Sequence, residues 1–352
     1  MKKILSACLC IVIALLSFAA CAPKEENKEV RVLNLGEYIS LGDEDFMDVI
    51  SEFEKRTGIT CEYDGSAENN EALYAKVKPG GVEYDVVITS DYMLERMISE
   101  DMLQKLDYNK ITNWGNIDEK YKKPAFDPKQ EYTVPYTVGM VGLAYNSLYV
   151  KKPTSWNSLW DEKNKGKILM YNNNRDTFAI AQSILGYSFN STDVEEWKFA
   201  AQKIKDQKPL RYGFVDDQIF DKMQDNEAWL APCYAGDFLS MQRVNPDLQF
   251  VYPKEGVNSF IDSIAILSNA KNVDAAHKFI DFLLEPDIAL ENSNYLCYAS
   301  PNTKVFENPV YTWYQNEFLY PSAEKMPKTE MFENLPREIL EVMNSLWDEV
   351  KR

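Results

Sequence analysis

Apolar positions along the chain recur at two spacings. VRVLNL (30–35) and YDVVIT (84–89) are short, nearly continuous apolar runs, the form of a strand buried on both faces of a parallel sheet. ITCEYD (59–64) reads as a further strand between them. Phe46, Val49, Ile50 and Phe53 repeat at helical spacing, and Gly58 follows as a C-cap. After YDVVIT, Ser90 or Asp91 caps a helix carrying Leu94, Met97 and Ile98. Strand and helix in alternation predict an α/β fold with a mostly parallel sheet.

The alternation returns downstream. Val194, Trp197, Ala201 and Ile204 mark a helix, and LQFVYP (248–253) and FIDSIAIL (260–267) are strands. Ala276, Phe279, Ile280 and Leu283 share a helical face that Pro286 stops. A last helix carries Ile339, Leu340, Met343, Leu346 and Val350. No Pro/Gly/Ser-rich seam divides the chain, so two lobes would have to be joined by several crossovers. One position breaks the pattern. Asp262 lies inside FIDSIAIL, and a carboxylate in a sheet core is costly unless something meets it.

Charge and composition narrow the function. The 352 residues carry a formal net charge of −17, which disfavours nucleic acid and anionic lipid as partners and favours a cation. Lys2 and Lys3 precede an apolar run from Ile4 to Ala20, a leader set aside from the fold. Phe18-Ala19-Ala20-Cys21 resembles a bacterial lipobox, with Cys21 as the lipidated residue and residues 21–29 as a polar tether; a plain signal peptide or a short anchor is the alternative. Loss of Lys2 and Lys3 with residues 1–20 takes the charge from −17 to −19. Cys61, Cys233 and Cys297 remain, an odd number, so at least one thiol is free.

The single His, His277, reads as a helix residue near the surface. With one His there is no HExxH site and no His-based triad, and no GxSxG, Walker A, GxGxxG or CxxC occurs. No metal or cofactor is expected. Aromatic and acidic residues instead cluster where strands should end: GEYIS (36–40), TSDYM (89–93) and APCYAGDF (231–238). In open α/β sheets, ligands bind beyond the carboxyl ends of the strands. Rings attract cations and carboxylates accept charge-assisted hydrogen bonds, so Tyr with Asp at such loops suits an ammonium group.

These segments resemble the spermidine/putrescine-binding proteins of bacterial polyamine ABC transporters. NLGEYI (34–39), YDVVITSDYMLERM (84–97), FDPKQEYTVPYTVGMVGLAYN (126–146), TSWNSLW (154–160), YPKEG (252–256), FIDSIAI (260–266), YASPN (298–302) and MFENL (331–335) match in order over nearly the whole chain after the leader. The resemblance implies a two-lobed periplasmic-binding-protein fold of type II, each lobe a mixed, mostly parallel sheet flanked by helices. One lobe would be residues 30–137 plus 263–308, the other 138–262 plus 309–352. It implies a monomer, not an enzyme, that captures a linear polyamine between the lobes outside the cytoplasm, at the membrane through the anchor, and delivers it to an ABC permease.

The resemblance also implies a ligand set. Tyr38, Ser90, Tyr92, Asp262 and Tyr298 match the family's positions directly, and Glu37 matches a carboxylate near one amine end. Tyr234 and Phe260 replace Trp and keep a ring; Glu333 replaces Gln; Asp237 lies near Tyr234 as a further acid. Leu35 stands where a Trp would stack, Asn173 where an Asp would bind an amine, and Asp176 where a Glu would. Such exchanges retune which polyamine fits. A protein of the same fold for a sugar or ferric iron, and a secreted carboxylate-pair hydrolase, remain as alternatives.

Overall fold

The computed structural model describes residues 29–42, 45–78 and 82–352. The expected leader, lipobox and Cys21 lie outside the described residues. Among the described residues, ten strands form one continuous sheet: β1 (Glu29–Leu35), β2 (Thr60–Ala67), β3 (Val86–Thr89), β4 (Thr133–Asn146), β5 (Ile168–Tyr171), β6 (Arg211–Val215), β7 (Leu230–Tyr234), β8 (Leu248–Val251), β9 (Val257–Ile266) and β10 (Thr329–Glu330). The helices among the described residues are α1 (Val49–Thr57), α2 (Asn70–Val77), α3 (Asp91–Ser99), α4 (Asn174–Leu185), α5 (Val194–Gln207), α6 (Ile219–Gln224), α7 (Ala235–Val244), α8 (Val273–Leu283), α9 (Pro286–Leu296), α10 (Thr303–Phe306) and α11 (Arg337–Lys351).

The strand order β2-β1-β3-β9-β4-β7-β5-β6 contains one arrangement twice. β2, β1 and β3 run parallel, with β9 antiparallel beside β3. β6, β5 and β7 run parallel, with β4 antiparallel beside β7. The two antiparallel strands also pair with each other, so β4 and β9 form a ribbon joining both halves into a two-lobed α/β fold. Ser263–Ile266 of β9 belongs to one half and Val141–Tyr145 of β4 to the other. Midway, Thr137 faces Asp262, beside a bulge at Tyr136 that bends the ribbon.

Each half has its own core. Val30, Val32, Val86 and Ile88 pack with Phe53 of α1 and Phe279 and Phe282 of α8. Phe178 of α4, Trp197 of α5 and Ile339, Met343 and Trp347 of α11 pack in the other half. The helix starts follow local chemistry: Asp48 caps α1 by accepting from Ser51 N at 2.9 Å, and Gly58 ends it in a left-handed conformation. Phe46, expected on that helix, precedes its first residue. Pro286 lies beyond the end of α8 and opens α9, where its missing N–H costs nothing.

The reading of His277 as a surface residue is wrong. Its ring is buried, Nε2 accepts from Asp107 N at 2.9 Å, and Nδ1 lies 2.7 Å from Val273 O. A neutral imidazole bonded at both nitrogens sits in the core as a connector. Cys61, Cys233 and Cys297 are buried and form no disulfide among the described residues. Among the described residues no helix is long and apolar enough to cross a membrane.

Candidate functional site

The site lies where the two halves face each other across the β4–β9 ribbon. Its acids stand at helix starts: Asp91 in the first turn of α3, Asp176 in that of α4 and Asp237 in that of α7. A helix N-terminus favours a carboxylate, and each of these helices follows the carboxyl end of a parallel strand.

Asp262 is at the centre. It is 4% exposed, and Oδ2 accepts from Tyr38 Oη at 2.5 Å. Tyr38 Oη also lies 2.5 Å from Thr137 Oγ1, directly across the ribbon from Asp262. The other carboxylate oxygen, Oδ1, has no hydrogen-bond partner among the described residues. Burial pushes the Asp262 carboxyl up to about 6, against the Tyr38 bond and the Ser90 hydroxyl, which favour the charged form. Tyr38 is held by its backbone: Asn34 Nδ2 donates to its carbonyl at 3.2 Å and Tyr136 Oη at 2.7 Å.

Two further acids are paired with phenols and little else. Tyr234 Oη donates to Asp176 Oδ2 at 2.7 Å, and Tyr298 Oη donates to Asp237 Oδ1 at 2.7 Å. Burial pushes both carboxyls up to about 7, each bond to Tyr opposing it. Tyr92 Oη donates to Glu71 Oε1 at 3.0 Å, and burial raises Glu71 as well. For Asp176 and Glu71 the nearby Arg175 charge offsets only part of that cost, and for Asp237 no cation offsets it.

The rings form a connected wall. Centroids are 5.5 Å apart for Tyr38 and Tyr298, 6.2 Å for Tyr298 and Phe260, 5.6 Å for Phe260 and Tyr234, and 5.1 Å for Tyr234 and Tyr171. Two glycines make room for it. A Cβ on Gly236 would lie 2.1 Å from the Tyr298 ring, and one on Gly139 2.5 Å from that of Phe260. Rings and buried acids in alternation can hold alkyl segments against π faces while carboxylates meet the charged ends.

The structure thus brings together Tyr38, Ser90, Tyr92, Asp176, Tyr234, Asp237, Phe260, Asp262 and Tyr298. Three other expected positions sit differently. Asn173 is buried as the N-cap of α4, its side chain accepting from Asp176 N at 3.3 Å. Glu37 is exposed with φ 51°, its carboxylate accepting from Tyr295 Oη at 3.1 Å. Glu333 has an exposed side chain, while its carbonyl accepts from Arg175 Nη2 at 3.3 Å. Ser90 starts α3 without a side-chain cap and accepts from Asn70 Nδ2 at 3.0 Å.

Sequence reasoning missed Glu71, Asp91 as a buried acid, Thr137 and Arg175. Asp91 accepts from Tyr92 N at 2.7 Å and Ile261 N at 3.3 Å, and burial raises its carboxyl well above the usual range. The signal for Thr137 was its place in the crossing segment opposite Asp262. Glu71 and Arg175 lie in polar stretches that carry no periodic mark. Among the described residues no group of His, Cys, Asp and Glu is arranged to hold a metal ion.

This architecture has known counterparts. The family profile described as bacterial extracellular solute-binding protein matches residues 48–318. The spermidine/putrescine-binding periplasmic protein of Salmonella typhimurium is 34% identical over 312 residues, covering 88% of each chain. A solved structure from Listeria monocytogenes superposes with a TM-score of 0.86 at 34% identity, covering 92% of this chain and 99% of that one. The spermidine/putrescine ABC transporter substrate-binding protein PotD of Streptococcus pneumoniae gives 0.75 at 30% identity, covering 92% and 99%. The fold is that of a type II periplasmic binding protein. With the profile spanning most of the chain, this protein belongs to the bacterial extracellular solute-binding protein family, a family of binding proteins and not of enzymes.

Proposed function

We propose that this protein captures a linear polyamine, spermidine or putrescine, in the cleft between its lobes and delivers it to an ABC permease. The carrying observation is Asp262: a buried carboxylate with one oxygen bonded to Tyr38 and the other without a hydrogen-bond partner among the described residues, beside aromatic rings. An alkyl ammonium supplies the charge that this oxygen lacks. The methylenes would lie along Tyr38, Tyr298, Phe260 and Tyr234, each buried CH₂ contributing roughly 0.8 kcal/mol. Asp176 and Asp237 would take the amine ends, with Ser90 and Tyr92 lining the first lobe and Asn173, Glu37 and Glu333 at the margins.

In this reading the lobes are residues 30–137 plus 263–308 and 138–262 plus 309–352, turning about the ribbon where Thr137 faces Asp262. Cys21 carries the lipid that holds the protein outside the cytoplasmic membrane, and the protein acts as a monomer without catalysis. The names of the relatives support a polyamine and give no support to the sugar, ferric-iron or hydrolase readings. Isothermal titration with putrescine, spermidine and spermine tests the proposal. Saturable heat with at least one of them is expected; no heat and no thermal shift with any overturns it.

A further inference from the structure

Among the described residues, Arg175 is the one cation that acts on the cleft acids Glu71, Asp91 and Asp176 together. It follows Asn174 at the start of α4 and is 2% exposed. Its guanidinium carbon lies 4.5 Å from the centroid of the Phe332 ring and 5.4 Å from that of Tyr92. Those two rings meet edge to face at 5.7 Å. Tyr92 comes from α3 and Phe332 from the segment between β10 and α11, and the two belong to one core cluster, while Arg175 reaches them from α4. Nη2 donates to Asn190 Oδ1 at 3.0 Å and to the Glu333 carbonyl at 3.3 Å. Nε and Nη1 are buried with no partner among the described residues.

We propose that Arg175 is a positioning residue: its guanidinium, carried by α4 and packed against Phe332 and against Tyr92 of α3, whose hydroxyl bonds Glu71, ties the two sides of the cleft together and, without a direct ion pair, is the counter-charge for Glu71 and Asp176. The inference rests on the reading that the cleft takes a polyamine. The groups that act electrostatically on this charge come from several elements: Glu71 on α2, Asp91 and Tyr92 on α3, and Asp176 on α4. Asp176 in turn faces Tyr234 at the end of β7 and Asp262 on β9. Glu71 and Asp176 repel each other, and Arg175 offsets that repulsion. A buried guanidinium fits this task because it stays charged across the neutral range and bonds in a planar fork. Its carbon sits over the Phe332 ring while Nη2 bonds the Glu333 carbonyl. Removing it leaves two facing acids that bind protons in place of ligand.

The test is titration of putrescine and spermidine into the wild-type chain, Arg175→Gln and Arg175→Lys from about pH 5.5 to 9, across the carboxyls raised here. Arg175→Gln is expected to weaken binding about tenfold or more and to move the pH midpoint of affinity up by about one pH unit. Arg175→Lys is expected to keep the midpoint near wild type while losing part of the affinity. A purely packing role lowers stability and leaves the midpoint in place, so an unmoved midpoint in Arg175→Gln overturns the inference. If that variant does not fold, Glu71→Gln decides: the midpoint should fall, since Asp176 loses its like-charged neighbour, and an unmoved midpoint overturns the inference as well. Absence of binding by the wild-type chain overturns the polyamine reading itself and this inference with it. Binding with unmoved midpoints overturns this inference alone.

Discussion

Replacing Asp262 by Asn should move ligand affinity and ligand-free stability in opposite directions. Without ligand the carboxylate is a burden. Its carboxyl moves from the usual 3.8 up to about 6, and at about 1.4 kcal/mol per tenfold change in proton affinity this costs roughly 3 kcal/mol at neutral pH. The sign follows from the direction. A raised acid contributes no penalty below its unfolded pKa, and the penalty grows as pH climbs from about 4 to 6. Asn has the same shape and no charge, and its amide oxygen can still accept from Tyr38. The ligand-free variant should therefore unfold at a higher temperature than wild type at pH 7, and the difference should vanish near pH 4.

With ligand the order reverses. The ammonium loses a charge-assisted hydrogen bond worth roughly 1.5–3 kcal/mol, and the Asn amide points a donor at a cation. That is a loss of about tenfold to a hundredfold in affinity. Calorimetric titration with putrescine and spermidine measures the loss, and thermal melts at pH 4 and 7 measure the gain. Equal affinity in the variant, or lower ligand-free stability at pH 7, would refute the assignment and make Asp262 a structural carboxylate.

Other outcomes follow from the same geometry. Polyamine affinity should rise from pH 5 to 8, because Asp262 at about 6 and Asp176 and Asp237 at about 7 must ionise to meet a cation. Binding should also release protons, seen as a heat that changes with the ionisation enthalpy of the buffer; a flat profile over this range contradicts the assignment. Tyr38→Phe keeps the ring and removes the donor at 2.5 Å, so affinity for a polyamine should fall by roughly fivefold to tenfold, at about 1 kcal/mol per hydrogen bond, in the same titration. Gly236→Ala places a methyl 2.1 Å from the buried Tyr298 ring and should cost about 1–3 kcal/mol of stability by chemical unfolding, with binding impaired as the ring and its Asp237 partner shift.

Much of the framework could be read from periodicity because local and global demands agree there. The parallel strand β3 is buried on both faces, β1 buries Val30, Val32 and Leu33, and α8 and α11 carry continuous apolar stripes, so their burial is written into the spacing. β4 left a weaker mark. It passes through both halves, Pro135 and Gly139 interrupt it, and its bulge breaks the two-residue alternation. At the site, Tyr38, Tyr92 and Asp262 were legible because a polar or aromatic residue stood where a strand ended or an apolar run was broken. Arg175 and Glu71 were not. Each lies in a polar stretch that reads as solvated surface, and their burial arises from tertiary contact across the cleft. Asn173 shows the converse: its residue type suited a ligand or a cap equally, and the backbone N–H of Asp176 occupies it.

The β4–β9 ribbon has a consequence for how such chains can be recombined. Val138 pairs with Ile261, so the chain enters the second half and leaves it at neighbouring points on one ladder. In the proposed division of the lobes, residues 138–262 are a closed excursion from the first half, with two ends that sit side by side on the ladder. A graft from a relative could be joined there without a new linker. The excursion is not self-sufficient: Ile339, Met343 and Trp347 of the terminal helix complete its core around Phe178 and Trp197. A chimera exchanging the excursion should carry the matching terminal helix, or else refit that seam.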